Sequence, residues 1–319
     1  MIRGSVCRNG LRGLALALAI TAGTAVLPAS AQGLRFVTSN TGGSFYPIGV
    51  AISQVLSENG LKAAAEPGGG NSNPISVSQG KADLGFTFAP TVALAMAGKA
   101  PFPAPLENIR ALAYTHLNTT QIAVTKESGI TSIEQLKGQP FASQGLSAAS
   151  ATFFRVALGA YGLKEDDLNI VVRGGPTQGA NFVRDRNAVG FQATTSVPNA
   201  TFTEAFQSVE MTLLPISDAA FQSIVTTYPT FSRATIPAGT YTGLAADVPS
   251  MSTGAVIVVR ADMDEKIAYE ITKIMAENTK KLSGMHAALR PLTPKLMASV
   301  SGIPLHPGAE RYFTEAGLR

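Results

Sequence analysis

Short apolar runs in this chain repeatedly give way to turns rich in Gly, Asn or Ser and then to stretches with helical spacing. Residues 34–39 (LRFVTS) read as a strand, 40–44 as a turn, and the segment around Pro47 as a helix. Ile48, Ile52, Val55 and Leu56 fall at helical spacing, and Asn59-Gly60 supplies the stop. The unit recurs with a strand at 61–66, a loop at 67–73 and a helix from Pro74, then with a strand at 82–88 and a helix from Pro90. Further strands are expected at 109–114, 120–125, 141–142, 170–173, 189–193, 211–215 and 255–260. Further helices are expected at 147–161, 178–185, from Val197-Pro198-Asn199-Ala200, and at 264–281 with Ile267, Ile271, Ile274 and Met275 facing inward. Residues 228–248, rich in Pro, Gly and Thr, read as irregular, and 305–318 as a loop ending in a short helix. Strands alternating with helices imply an α/β fold, with a largely parallel sheet covered on both faces.

The N-terminus carries Arg3, Arg8 and Arg12 with no acid, then an apolar run over 14–27, then Pro28-Ala29-Ser30-Ala31. A charged region, a short apolar region and an A-x-A site describe an export signal. The run is shorter than the roughly 20 residues a membrane span needs. Cleavage after Ala31 is expected, leaving 288 of the 319 residues as a periplasmic protein that is not inserted in the membrane. Removing three arginines from 25 basic residues leaves 22 against 21 acids, a net charge of +1. Such a balance gives no basic stripe for nucleic acid. The single cysteine, Cys7, lies in the signal, so the mature chain has neither a disulfide nor thiol chemistry, and a core of this size needs no disulfide.

Four turns between strand and helix are candidates for holding a ligand. The first is Thr41-Gly42-Gly43-Ser44, followed by Phe45 and Tyr46. Its glycines let backbone N–H groups approach a ligand, its hydroxyls add polar handles, and a helix N-terminus favours negative charge. Ligands of open α/β sheets bind at the carboxyl ends of strands, where this turn belongs. The second turn, 68–73, offers Asn71 and Ser72. The third, 144–150, offers Ser147 and Ser150, and the fourth, 192–199, offers Gln192 and Thr195. The first two turns read as well as a plain turn or a flexible loop, though their place in consecutive βα units supports both as ligand turns, and the third reads more readily as a helix cap. Arg155, Arg173 and Arg184 are cations able to meet a carboxylate.

Enzyme signatures are thin. Gln79-Gly80-Lys81-Ala82 lacks the residues of a phosphate-binding loop, and neither a G-x-S-x-G elbow nor an H-E-x-x-H pair occurs. His116, His286 and His306 have no metal-ligand spacing. The chain is expected to be a binding protein without cofactor or metal. A secreted hydrolase would need Ser44 or Ser147 beside His116 or His306.

The ordered motifs resemble those of the TAXI-type solute receptors of TRAP transporters. Residues 41–49 (TGGSFYPIG) are similar to the family's opening T-G-G-x-[FY]-Y-P-x-G, and 69–73 with 80–84 to its glycine-rich and G-x-A-D-L elements. Ser128-Gly129-Ile130 with Leu136-Lys137-Gly138 resembles its S-G-I…L-K-G, and 303–313 (IPLHPGAERYF) its closing motif. The resemblance implies a two-lobed periplasmic-binding-protein type II fold with a ligand cleft between the lobes. One lobe is expected at 34–122 plus 240–319 and the other at 123–239. The resemblance further implies a monomeric receptor that passes a small organic anion, a carboxylate such as glutamate or 2-oxoglutarate, to TRAP permease subunits. A ligand-sensing adaptor for a sensor kinase is the alternative. The chain departs from the family at Phe88-Ala89-Pro90, where Q-S-D is common, at Ser147-Ala148-Ala149-Ser150, where G-S-G-T is common, and at Val189-Gly190-Phe191, where D-A-x-F is common. These departures imply a less polar pocket, with Phe88 in its wall, and a ligand with an apolar or aromatic part.

Overall fold

The computed structural model describes residues 33–319 except 301. The expected signal, its cleavage point after Ala31 and Cys7 lie outside the described residues. Two similar units build the fold. The first runs β1 (Leu34–Val37), α1 (Phe45–Glu58), β2 (Ala63–Glu66), α2 (Ser72–Ser78), β3 (Leu84–Phe88) and α3 (Ala89–Met96). After β4 (Ile109–Thr125) the second runs β5 (Pro140–Gln144), α4 (Ala149–Gly159), β6 (Asn169–Gly174), α5 (Pro176–Arg184), β7 (Gly190–Thr195) and α6 (Ala200–Ser208). There follow β8 (Met211–Leu213), α7 (Asp218–Thr227), β9 (Ser232–Ile236), β10 (Val248–Arg260), α8 (Glu265–Glu277), α9 (Thr279–Met285), α10 (Pro294–Ala298) and α11 (Pro307–Glu315).

The sheet order is β2-β1-β3-β10-β4-β7-β5-β6, with β8 added to β4 and β9 to β10. Within each unit the strands are parallel, as βαβ crossovers require, whereas β4 and β10 run antiparallel to their neighbours. These two long strands join the units into a two-lobed α/β fold. β4 pairs with β10 from Ile109 to Thr119 and with β7 from Thr119 to Val124. β10 pairs with β3 from Ala255 to Val259 and with β9 from Val248 to Ser252.

The structure corrects four expectations about the elements. The strands expected at 109–114 and 120–125 are one 17-residue strand, β4. The polar residues between them suggest a loop, yet Thr115, His116, Asn118 and Thr119 are buried where the strand passes between lobes. Thr119 meets Ser252 hydroxyl to hydroxyl at 2.6 Å, and Thr115 meets His116 Nδ1 at 2.9 Å. The stretch read as irregular contains β9, whose ladder with β10 overrides its weak strand pattern. Helix α7 arises in a segment that gives no strong sequence signal and is capped by Ser217. The helix expected at 264–281 is interrupted at Asn278 and becomes α8 and α9. Ile267, expected inside, is 38% exposed. The inward stripe of α8 is Ala268, Ile271, Thr272 and Met275, at helical spacing.

A line of phenylalanine rings runs from the first lobe into the second. Phe36 stacks on Phe86 (4.8 Å between centroids), Phe86 on Phe45 (4.7 Å), and Phe45 meets Phe88 (4.7 Å). Phe88 then packs edge-on against Phe153 of α4 (5.1 Å), and Phe153 against Phe231 (5.0 Å). All six are buried, each contributing roughly 1.5–3 kcal/mol through its removal from water.

Candidate functional site

The carboxyl ends of β1, β2, β3, β5, β6 and β7 carry the turns that face one another between the lobes. Side chains fix each turn. Ser39 Oγ donates to Asn40 O (2.8 Å) and accepts from Tyr46 N (3.1 Å). Buried Asn73 organises the glycine-rich turn: Oδ1 accepts from Gly69 N (3.0 Å), and Nδ2 donates to Thr38 O (2.6 Å) and Phe86 O (2.7 Å). Thr87 donates to Gly70 O (2.7 Å). In the second lobe Ser150 Oγ accepts from Thr194 N (3.1 Å) and pins the start of α4 to β7.

These turns enclose a cavity of about 50 Å³. That is room for roughly three or four water molecules. Of the residues expected at a ligand site, Gly43, Ser44, Phe45, Phe88, Ser147, Ser150 and Thr195 line it. Thr41, Gly42, Tyr46, Asn71, Ser72 and Gln192 do not. Thr41 is exposed, and Gln192 is buried with neither amide atom hydrogen-bonded among the described residues. Asn40, Gln144 and Thr194 lie within the turns read at 40–44, 144–150 and 192–199 but were not singled out there, nor was Ser39 before the first turn; the Gln144 amide donates to Gln192 O at 3.0 Å. Their signal was position: each ends a strand or begins the turn after one.

Among the described residues no charged side chain lines the cavity. Its electrostatics come from helix ends. Helices α1, α3, α4 and α5 each place first-turn or N-cap residues in the lining, and none is capped by the side chain of its own N-cap residue, although Ser39 Oγ accepts from Tyr46 N in the first turn of α1. Of the helices that start elsewhere, α6, α7, α8, α10 and α11 are capped by Asn199, Ser217, Asp264, Thr293 and His306 respectively, whereas α2 and α9 have no side-chain cap. Uncapped first-turn N–H groups carry the positive end of the helix dipole. The N–H groups of Phe45, Ala149 and Ser150 have no protein acceptor among the described residues. Several hydroxyls at the cavity are already engaged by protein. Ser44 donates to Asn118 Oδ1 (3.0 Å), and Thr194 pairs with Thr120 (2.9 Å). Among the described residues Asn40 and Ser147 make no side-chain hydrogen bond, and Thr195 Oγ1 accepts from Asn199 (3.2 Å), which leaves its own proton to donate.

The lobes also touch directly. Asn71 N donates to Ser147 O (2.8 Å), and Asn71 Nδ2 lies 2.9 Å from Leu146 O and 3.0 Å from Thr152 Oγ1. Glycine makes this approach possible: a Cβ on Gly69 would stand 2.5 Å from Ser147 O, and one on Gly42 2.3 Å from Thr177 Oγ1.

The arginines considered as ligand partners are engaged elsewhere. Arg173 (2.8 Å) and Arg155 (3.3 Å) both pair with buried Glu165, and Arg184 pairs with Asp185. Burial pushes the Glu165 carboxyl up, but the Ser143 hydroxyl, Arg173 and Arg155 outweigh it and hold it below the ordinary range. Among the described residues no Ser–His hydrogen bond forms: His116 Nδ1 faces Thr115, and both His306 nitrogens are engaged, with Met263 O and Gly308 N. Among the described residues no cluster of acidic, Cys or His side chains could hold a metal, and no helix is long and apolar enough to cross a membrane.

A family model described as the NMT1-like family matches residues 36–317. The chain belongs to the NMT1-like family. A solved structure described as a periplasmic transporter shares this NMT1-like chain's fold, with TM-score 0.55 and 14% identity over 81% of this chain and 87% of that one. A Xanthomonas citri protein solved bound to ATP matches with TM-score 0.50 and 14% identity over 90% of this chain and 96% of that one. The periplasmic aliphatic sulphonate binding protein of Escherichia coli matches with TM-score 0.47 and 16% identity over 89% and 84%.

Proposed function

We propose that this protein is an exported receptor that captures a small organic anion between its lobes and delivers it to a TRAP-type membrane permease. The observation that carries the anion is the cavity itself: uncharged in its side chains, it gathers the starts of four helices, none capped by its own N-cap side chain. Membership in the NMT1-like family, and a fold shared with a periplasmic transporter, support the receptor reading. The charged, apolar and A-x-A segments of residues 1–31 support export. The TAXI-like motifs support the TRAP partner.

The ligand-reading groups in this proposal are Asn40, Ser147, Thr195 and the N–H groups of Phe45, Ala149 and Ser150. No carboxylate in the lining would meet an ammonium, which favours a plain carboxylate over an amino acid. Phe45 and Phe88 supply an apolar wall for the rest of the ligand. The lobes open about the two points where strand partners change, near Thr119 in β4 and Ser252 in β10.

Thermal melting of the purified protein against carboxylates, sulfonates and the neutral amide of each acid tests this reading. A saturable upward shift with an acid, absent with its amide, is the expected result. Stabilisation by amides or cations and by no anion would overturn it. Uptake of the stabilising acid by cells, lost when a TRAP-type permease gene is deleted, tests the partner.

A further inference from the structure

The residue at the centre of the lobe contact is Asn71. It was a candidate to bind ligand, but its donors point at the opposite lobe. Its backbone N–H donates to Ser147 O at 2.8 Å. Its amide nitrogen reaches Leu146 O (2.9 Å), Thr152 Oγ1 (3.0 Å) and Ala148 O (3.4 Å). Asn71 is 4% exposed, and Oδ1 has no hydrogen-bond partner among the described residues. The carbonyls of Leu146 and Ala148 accept only, so a flipped amide would set oxygen against oxygen. The donors therefore point across the cleft.

The surroundings hold Asn71 in place for this contact. Asn73 and Thr87 fix the turn on the first lobe. Gly69 and Gly70 let it approach within van der Waals distance: a Cβ on Gly70 would stand 2.8 Å from Ala149 Cβ. Phe88 packs on Phe153 across the same boundary. Protein atoms form both sides of every one of these contacts.

We propose that Asn71 is a latch that draws the lobes together without help from the ligand, so that closure is a built-in property which the ligand modulates. The proposal rests on the two-lobed reading above and is independent of what the cavity binds. A latch of this kind sets the ligand's apparent affinity through the fraction of closed molecules, and sets the entry rate through how often the lobes part.

The test measures lobe separation with no ligand added. In a Cys7→Ser background the chain has no cysteine, so exposed Lys81 and Lys164, one on each lobe, are changed to Cys and spin-labelled. Distance distributions are compared for the parent, Asn71→Ala, and Asn71→Asp, which faces oxygen to oxygen. The parent is expected to show mainly the short distance. Both substitutions should shift the short-to-long ratio by about tenfold or more, the loss of a shared pair of hydrogen bonds. Circular dichroism verifies folding, and Thr152→Val, which deletes one acceptor, replaces any variant that does not fold. Unchanged distributions in folded variants, or a parent already at the long distance, would overturn the latch. Because no ligand enters the experiment, its failure would leave the anion reading intact.

Discussion

The Ser44 hydroxyl donates to Asn118 Oδ1 at 3.0 Å, and both side chains are buried. This bond ties the turn before α1 to the strand that joins the lobes. Ser44→Ala should therefore cost about 1–2 kcal/mol of stability, since it strands a buried acceptor. Affinity for the stabilising acid should change less than tenfold. Urea melts and isothermal titration read the two effects. A hundredfold affinity loss with unchanged stability would show that the hydroxyl turns to the ligand.

Glu165 holds three elements together: Ser143 of β5, Arg155 of α4 and Arg173 of β6. Its carboxyl ionises more readily folded than unfolded, so its contribution is complete above the ordinary carboxylate range and is lost as pH falls through and below that range. Glu165→Gln should cost about 2 kcal/mol at pH 7, a value reduced because both arginines are partly exposed. The difference from the parent should shrink below about pH 4, as read from urea melts across pH.

His116 acts in a higher pH window. Burial pushes it down to about 3, reinforced by His286 and opposed by the neighbouring Asn118 side chain. An unfolded histidine titrates near 6.5, so between about 6.5 and 3 the unfolded chain binds a proton that the folded chain refuses. Stability should fall as pH falls through this window, by up to about 1.4 kcal/mol per unit. Burial lowers His286 and His306 as well, so they add to the slope. His116→Phe should flatten part of the slope between pH 6 and 4.5, measured by denaturant melts.

Much of the fold was legible because its signals are local. The two βα series follow from apolar runs punctuated by Gly and Asn, and their strands and helices form close to where periodicity places them. What escaped was tertiary in origin. Thr115–Thr119 looks like a loop until β10 covers it, and β9 exists because β10 offers an edge. At the site, chemical type located the turns without giving direction. Ser44 and Asn71 are polar residues in ligand-like turns, yet their donors face Asn118 and the 146–152 segment. Asn40 opens the turn read at 40–44, yet chemical type did not single it out from its neighbours, although it lines the cavity and its amide has no hydrogen bond among the described residues.

Gly69 separates closure from folding. Its backbone is not left-handed, so alanine there carries no conformational strain. The added Cβ would meet Ser147 O at 2.5 Å and Ser147 C at 3.0 Å, backbone atoms of the other lobe that have no rotamer to escape into. The conflict exists only when the lobes meet. Gly69→Ala should therefore open the unliganded protein and weaken binding of the stabilising acid by about tenfold or more, while its effect on melting is limited to the loss of closure. Gly60→Ala should do the opposite. Its φ is +90° and nothing lies within 4 Å of the new Cβ, so the strain falls on the fold alone. It should cost about 1 kcal/mol of stability and leave affinity unchanged. Titration and melting of both variants side by side give the result. Equal loss of affinity in the two would mean that the Gly69 turn does not govern closure.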